Sequence, residues 1–293
     1  WLFEVQYQKR MIKVLSMSEF GMDIDDSSTK APVMVIAFAG WNDAGGASTW
    51  AIRSLIEKTI ATEILTFDSE EFYDFSRERP TVHLDGESRF LSWPKNTISL
   101  SNDGSLLLME GVEPQLNWQT FTQNILAEAQ KYNVSMIITL GSLLAEVPHS
   151  RPVLIHGVSE NTEINRTYGL QTSSYEGPTG IIGVINQLST DAGIPNMSFW
   201  ATVPNYVAGA ESPKAALALI ERLKTTLNLS LNTTDLEIAS SAYERQINQI
   251  IEGDEDTSKY VDELEDNYDA GDYEVASPED FVKDVENFLR DQD

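Results

Sequence analysis

The chain has 293 residues, of which 41% are hydrophobic and 9% aromatic, a globular composition that excludes wholesale disorder. It carries 20 Lys+Arg against 46 Asp+Glu, net −26 at pH 7. Nucleic-acid binding and an anionic membrane surface both draw on cationic contacts, so neither is expected. There is no cysteine, which rules out disulfides, thiolate metal sites and a cysteine nucleophile and fits a cytoplasmic setting.

The charge is uneven: residues 252–293 hold 17 acidic and 3 basic residues, whereas the preceding 251 hold 29 and 17. The longest apolar run, Val33–Ala39, is strand-sized and far short of the ~18 residues of a membrane span, so no membrane insertion is expected. From Trp1 onward no basic region precedes an apolar core, so no secretory signal is expected, and residues up to Met11 carry little weight.

In chain order, Val33–Ala39 reads as a strand covered on both faces. The loop Asn42-Asp43-Ala44-Gly45-Gly46 breaks it, and Ala47–Lys58 follows with helical spacing. Glu63–Asp68 completes a strand-helix-strand unit. Thr81–Leu84 and Glu87–Trp93 flank Asp85-Gly86, a β-hairpin signal. Thr97–Leu100 and Ser105–Glu110 form a second β segment, and Asn117–Tyr132 an amphipathic helix. Strands at Ser135–Leu140, Val153–Val158 and Met197–Val203 alternate with a helix at Gly180–Thr190. Ser212 and Pro213 open a helix to Leu227 as N-cap and first position. The expected fold class is therefore α/β, with a mostly parallel mixed sheet, helices on both faces and an inserted hairpin near 81–93.

The core domain is read as 1–231 and the remainder, 232–293, as an acidic helical segment. Asp235–Ile251 carries a helical apolar stripe, and Ser277-Pro278-Glu279-Asp280 starts a capped helix to Leu289. Glu252–Asp272, rich in acids and poor in aliphatics, also fits a disordered solubilising stretch. The apolar stripes favour helices that pack back on the body as a lid, with their negative charge facing Arg77, Arg79 and Arg151.

Ligands of open α/β sheets bind beyond the carboxyl ends of the strands, so the residues there are the candidates. Asn42 and Asp43 either cap a helix beside packing glycines or line an anion site; the loop is no Walker A motif. Arg77 and Arg79, two apart, clamp an anion or pair with Asp74, Glu78 or a neighbouring subunit. Glu146, His149 and Arg151 share one short loop able to transfer protons or bind an anion, or simply rigid. Glu176 precedes a helix and Tyr206 follows a strand. These loops are expected to converge on one concave site. His83 and His156 lie in expected strands and read as structural. No metal spacing, G-x-S-x-G elbow or cofactor box occurs, so no metal or cofactor is expected and no catalytic residue is assigned.

Several of these loops carry a resemblance. Phe38-Ala39-Gly40-Trp41-Asn42-Asp43-Ala44-Gly45, Asp74-Phe75-Ser76-Arg77-Glu78-Arg79-Pro80 and Pro148-His149-Ser150-Arg151-Pro152 are followed by Tyr175-Glu176-Gly177-Pro178-Thr179-Gly180, Trp200-Ala201-Thr202-Val203-Pro204-Asn205-Tyr206 and Ser212-Pro213-Lys214-Ala215. In that order they resemble the proteasome assembly chaperone superfamily, type-two branch, in bacterial form with an extra C-terminus. The resemblance implies a phosphorylase-like three-layer sandwich. It also implies a homo-oligomer, most readily a trimer, touching through the hairpin, with Val82, Leu84, Phe90, Leu91 and Trp93 at the contact. Eukaryotic members dock through a C-terminal hydrophobic-aromatic-any tripeptide; Asp291-Gln292-Asp293 does not match it, so that mode of docking is not expected. The implied function is an assembly factor with a protein partner. The alternative is an enzyme or sensor for a small anion on a nucleoside-phosphorylase-like scaffold.

Overall fold

A strand that is apolar at every position must be covered on both sides. Val33–Ala39 meets that demand as β1, buried from Met34 to Phe38. The computed structural model describes residues 31–86, 88–173, 176–207 and 209–271. After β1 come α1 (Ala47–Lys58), β2 (Thr62–Thr66), α2 (Ser69–Phe72), β3 (Thr81–Asp85), β4 (Ser88–Ser92), β5 (Asn96–Leu100), β6 (Leu106–Val112) and α3 (Trp118–Lys131). Then follow β7 (Met136–Ala145), β8 (Ile155–Val158), α4 (Thr162–Tyr168), α5 (Ile181–Asp191), β9 (Asn196–Pro204), α6 (Pro213–Leu227), α7 (Thr234–Ile251) and α8 (Glu255–Ala270).

Seven strands form one mixed sheet in the order β2-β5-β6-β1-β7-β9-β8. The central four, β6, β1, β7 and β9, are parallel. On the flanks β5 runs against β6, β2 against β5, and β8 against β9. Although β2 runs the same way as β1, β6 and β5 stand between them.

The pleat of β1 sorts the core into two layers. Val35 and Ala37 face α1 and α6, against Ile52, Leu55, Leu219, Ile220 and Leu223. Met34, Ile36 and Phe38 face α3 and α5, against Phe121, Ile125, Ile181 and Ile185. The result is the three-layer α/β arrangement. Leu236 of α7 joins the first layer, so α7 is packed into the core.

Several boundaries differ from the sequence expectation, each for a local reason. The expected strand to Asp68 ends at Thr66, because the Asp68 side chain instead accepts Glu70 N–H at 3.0 Å and caps α2. Helix α4, absent from the sequence reading, is seven residues long and capped by Asn161 on Glu163 N–H and Ile164 N–H. It buries only Ile164, so it has no apolar stripe to announce it. Helix α8 occupies the acidic stretch that also fitted disorder; Asp254 caps it, and Val261 and Leu264 are its buried residues. The helix expected from Ser277 lies outside the described residues.

Glycine opens one close approach in the central strands. A Cβ at Gly141 of β7 would stand 2.5 Å from Trp200 Cε3 and Cζ3 of β9. Replacing Gly141 with Ala should therefore overpack this layer and lower the unfolding free energy by about 1–3 kcal/mol in urea titration. An unchanged midpoint would show that Trp200 swings away freely.

Candidate functional site

Because β6, β1, β7 and β9 are parallel, their carboxyl ends share one edge of the sheet. The strand β2 runs toward the same edge, so Arg77, Arg79 and the hairpin leave from it as well.

After β1, the Asp43 carboxylate caps α1. It accepts Ser48 N–H at 2.7 Å, Thr49 N–H at 3.3 Å and both hydroxyls of those residues. The amides that an external anion would use are thus taken from within, and capping is the role the geometry gives Asp43. Gly45 and Gly46 have φ of 60° and 59°. A Cβ on Gly45 would meet Ser212 Cβ at 3.0 Å, so the loop lies directly against the start of α6.

Asn42 is buried and donates from Nδ2 to Glu113 Oε1 at 3.2 Å. Glu113 follows β6, and the same oxygen accepts Ile181 N–H at 2.9 Å at the start of α5. Burial pushes the Glu113 carboxyl above its ordinary value. A Cβ on Gly180 would come within 2.6 Å of Asn42 Nδ2, so glycine is what lets α5 begin there.

A second polar knot follows β7 and β9. The buried His149 ring lies between Tyr206 and Asn248 of α7. The tautomer protonated on Nε2 satisfies every contact. Nε2–H donates to Asn248 Oδ1 at 2.8 Å, and Nδ1 accepts the Tyr206 hydroxyl at 2.9 Å. That hydroxyl oxygen in turn accepts His149 N–H at 2.8 Å. Lys214 of α6 donates to the His149 carbonyl at 2.5 Å and pairs with Glu244 of α7. Beside this knot, Arg151 grips Asp269 of α8 bidentately at 2.8 and 2.7 Å and reaches Glu265 at 3.3 Å. Ser150 donates its hydroxyl to Glu265. The Arg151 hydrogen bond holds the Asp269 carboxyl below the ordinary range.

The nine candidate residues are thus divided along the edge. Asn42 and Asp43 belong to the β1 knot, whereas His149, Arg151 and Tyr206 belong to the β7–β9 knot. Arg77, Arg79, Glu146 and Glu176 are exposed and join neither. Among the described residues, neither Arg77 nor Arg79 makes a salt bridge. The cavity lined by His149, Arg151, Lys214, Ser212 and Tyr243 is about 10 Å3, the space of roughly one water molecule. No group of His, Asp and Glu among the described residues could hold a metal ion, and no described helix is long and apolar enough to cross a membrane.

The sequence reading missed Glu113, Lys214, Asn248, Glu265 and Asp269. Reading the residues beyond the β6 segment as closely as those beyond β1 would have raised Glu113. The acids of α8 were expected only collectively, as negative charge facing Arg77, Arg79 and Arg151; of these three, Arg151 is the one that pairs with them among the described residues. Of the two remaining histidines, His83 is exposed and stacks on Phe90 with centroids 5.1 Å apart, and His156 is half-buried in β8.

The PAC2 family model matches residues 37–251. The crystal structure of a PAC2 family protein from Streptomyces avermitilis is 37% identical with a TM-score of 0.72, covering 78% of this chain and 99% of that one. A Mycobacterium tuberculosis proteasome-assembly chaperone homologue is 40% identical with a TM-score of 0.71 and the same coverage, 78% and 99%. Pyrococcus furiosus PbaB, an archaeal proteasome activator, shares the fold at 15% identity and a TM-score of 0.61, covering 77% and 96%. No functionally curated protein matches the chain.

Burial lowers the pKa of His149 from 6.5. Between 6.5 and the lower folded value the unfolded chain binds the extra proton, so stability falls as pH drops through that window and is fully retained above it. Between pH 7 and about 5.5, the urea midpoint of the wild-type chain should fall further than that of His149→Gln. The comparison cancels His156, whose shift has the same sign, and Glu113, whose shift has the opposite sign. Equal falls would show that His149 titrates without hindrance.

Proposed function

The chain belongs to the PAC2 family, and on that premise we propose that it is a homo-oligomeric assembly factor of the proteasome-assembly-chaperone kind. It binds protein, acts in the cytoplasm and contacts its own copies through the β3–β4 hairpin. In this reading the α/β body up to residue 231 is the interacting unit, with α7 packed onto its core and α8 as the appendage.

The observation that carries the reading is the hairpin. Every described residue of β3 and β4 is exposed, and the pair forms a separate two-stranded sheet. A two-stranded hairpin is marginal alone in water and needs a surface to cover it. Cross-strand pairing puts Val82 opposite Leu91 and Leu84 opposite Arg89 on one face, and His83 opposite Phe90 on the other. The apolar face exposes Val82 at 49%, Leu84 at 73% and Leu91 at 53%. Trp93 packs its ring on Phe75 at 4.9 Å, which anchors the base of the hairpin while leaving its shaft free. The trimer is the state that the resemblance to bacterial members favours. The relatives, a proteasome-assembly chaperone homologue and a proteasome activator among them, suggest the class of client: another folded protein subunit.

Light scattering on the purified chain at micromolar concentration should give a mass of three copies. Leu84→Asp with Leu91→Asp should convert it to monomers with unchanged helical content, because both side chains are exposed and the core is untouched. A wild-type monomer overturns the reading.

A further inference from the structure

We propose that Ser150, Arg151, Tyr206 and Val207 form a docking site for an acidic amphipathic helix of a partner protein, and that α8 occupies this site in cis as a resident copy of that ligand. The inference rests on the reading of the chain as a protein-binding factor and names the chemistry of the partner.

The contacts of α8 define what the site recognises. Val261 is buried in a cluster with Tyr243, Ile247 and Ile251 of α7, against which Tyr206, Val207 and Ala210 pack. Tyr260 meets Tyr206 edge to face with centroids 6.0 Å apart. One turn on, Leu264 is buried and Glu265 takes the Ser150 hydroxyl and Arg151. One turn further, Tyr268 donates to the Pro152 carbonyl at 3.0 Å and Asp269 takes the bidentate Arg151 fork. Tyr260-Val261, Leu264-Glu265 and Tyr268-Asp269 recur every four residues and so share one helix face. The surface beneath is apolar with one cationic rim, and its ligand is a helix bearing apolar and acidic side chains in that period.

Two observations mark α8 as the displaceable element. The family match ends at residue 251, the last residue of α7, so α8 lies outside the shared part. Moreover, α7 is fixed by Leu236 in the main core, by Asn248 on His149 and by Glu244 on Lys214. Helix α8 buries only Val261 and Leu264, and the rest of its hold is the Tyr260–Tyr206 contact, the Ser150 and Tyr268 hydrogen bonds and partly exposed ion pairs, which stabilise weakly. It also carries seven acidic residues against one lysine. In a chain of net −26 such a helix gains nothing from the overall field. Its seat depends on the local geometry of Arg151, which a partner helix of the same pattern meets equally well.

The test uses the full chain and a fluorescent peptide with the sequence of residues 255–271. Glu265→Gln with Asp269→Asn should free the cis site, and the peptide should then bind about tenfold tighter than to the wild-type chain, as expected when a site about one-tenth open becomes open. Adding Arg151→Ala should abolish that gain. Hydrogen exchange should show α8 opening in the double variant while α7 stays protected. Four outcomes overturn the proposal: equal peptide affinity in wild-type and double variant, a gain that survives Arg151→Ala, equal binding of a scrambled peptide, or a concentration-dependent doubling of mass without peptide binding, which would mean exchange of α8 between copies. A wild-type monomer in light scattering would sink the oligomer reading and leave this competition intact.

Discussion

Four neighbouring parallel strands that run toward one edge impose one demand on everything beyond them. Their last backbone groups leave the ladder there, and each that is shielded from water needs a partner. The chain meets this demand with both main chain and side chains. Ser142 N–H donates to the Asn42 carbonyl at 2.9 Å, closing the β1 loop onto β7. Glu113 takes the first amide of α5, Tyr206 takes the His149 N–H, and Lys214 donates to the His149 carbonyl. Polar residues at these strand ends therefore serve the frame first. Recognition falls to the groups that the frame leaves facing outward, chiefly Arg151 and Ser150.

The two outward-facing features of this edge work by different physics. On the hairpin, the apolar face of Val82, Leu84 and Leu91 carries no buried polar group to be matched, so its gain on contact is set by area. Next to His149, the surface is chosen by geometry, because a guanidinium fork fits a carboxylate in few orientations. The hairpin is not hydrogen-bonded to the seven-stranded sheet. In the proposed reading the two surfaces can be engaged independently, one for self-association and one for a partner.

Much of the frame was legible because periodicity is a burial signal. β1 and α1 have the bounds read from the residues, as does α6, whose Ser212 and Pro213 announce its start. What escaped was structure held by polarity. The seven residues of α4 bury one side chain, and α8 is built from charges that fitted a disordered stretch as well as the favoured packed helix. The candidate site was legible in its parts and not in its arrangement. Strand ends pointed to Asn42, His149 and Arg151, and the acidic tail pointed back to Arg151, but nothing local told that Asn42 would answer to Glu113 or that the Arg151 fork would close on a carboxylate 118 positions away.

That separation has a consequence in time. A chain emerging from the ribosome folds its N-terminal parts first. Arg151 is in place 118 residues before Asp269 exists. At about 5–20 residues per second, some ten seconds pass with the guanidinium uncovered. The hairpin is made earlier still, so the hairpin face and Arg151 of a nascent chain are both open before α8 can cover Arg151. Copies translated side by side on one message would meet in that interval, when α8 has not yet covered Arg151.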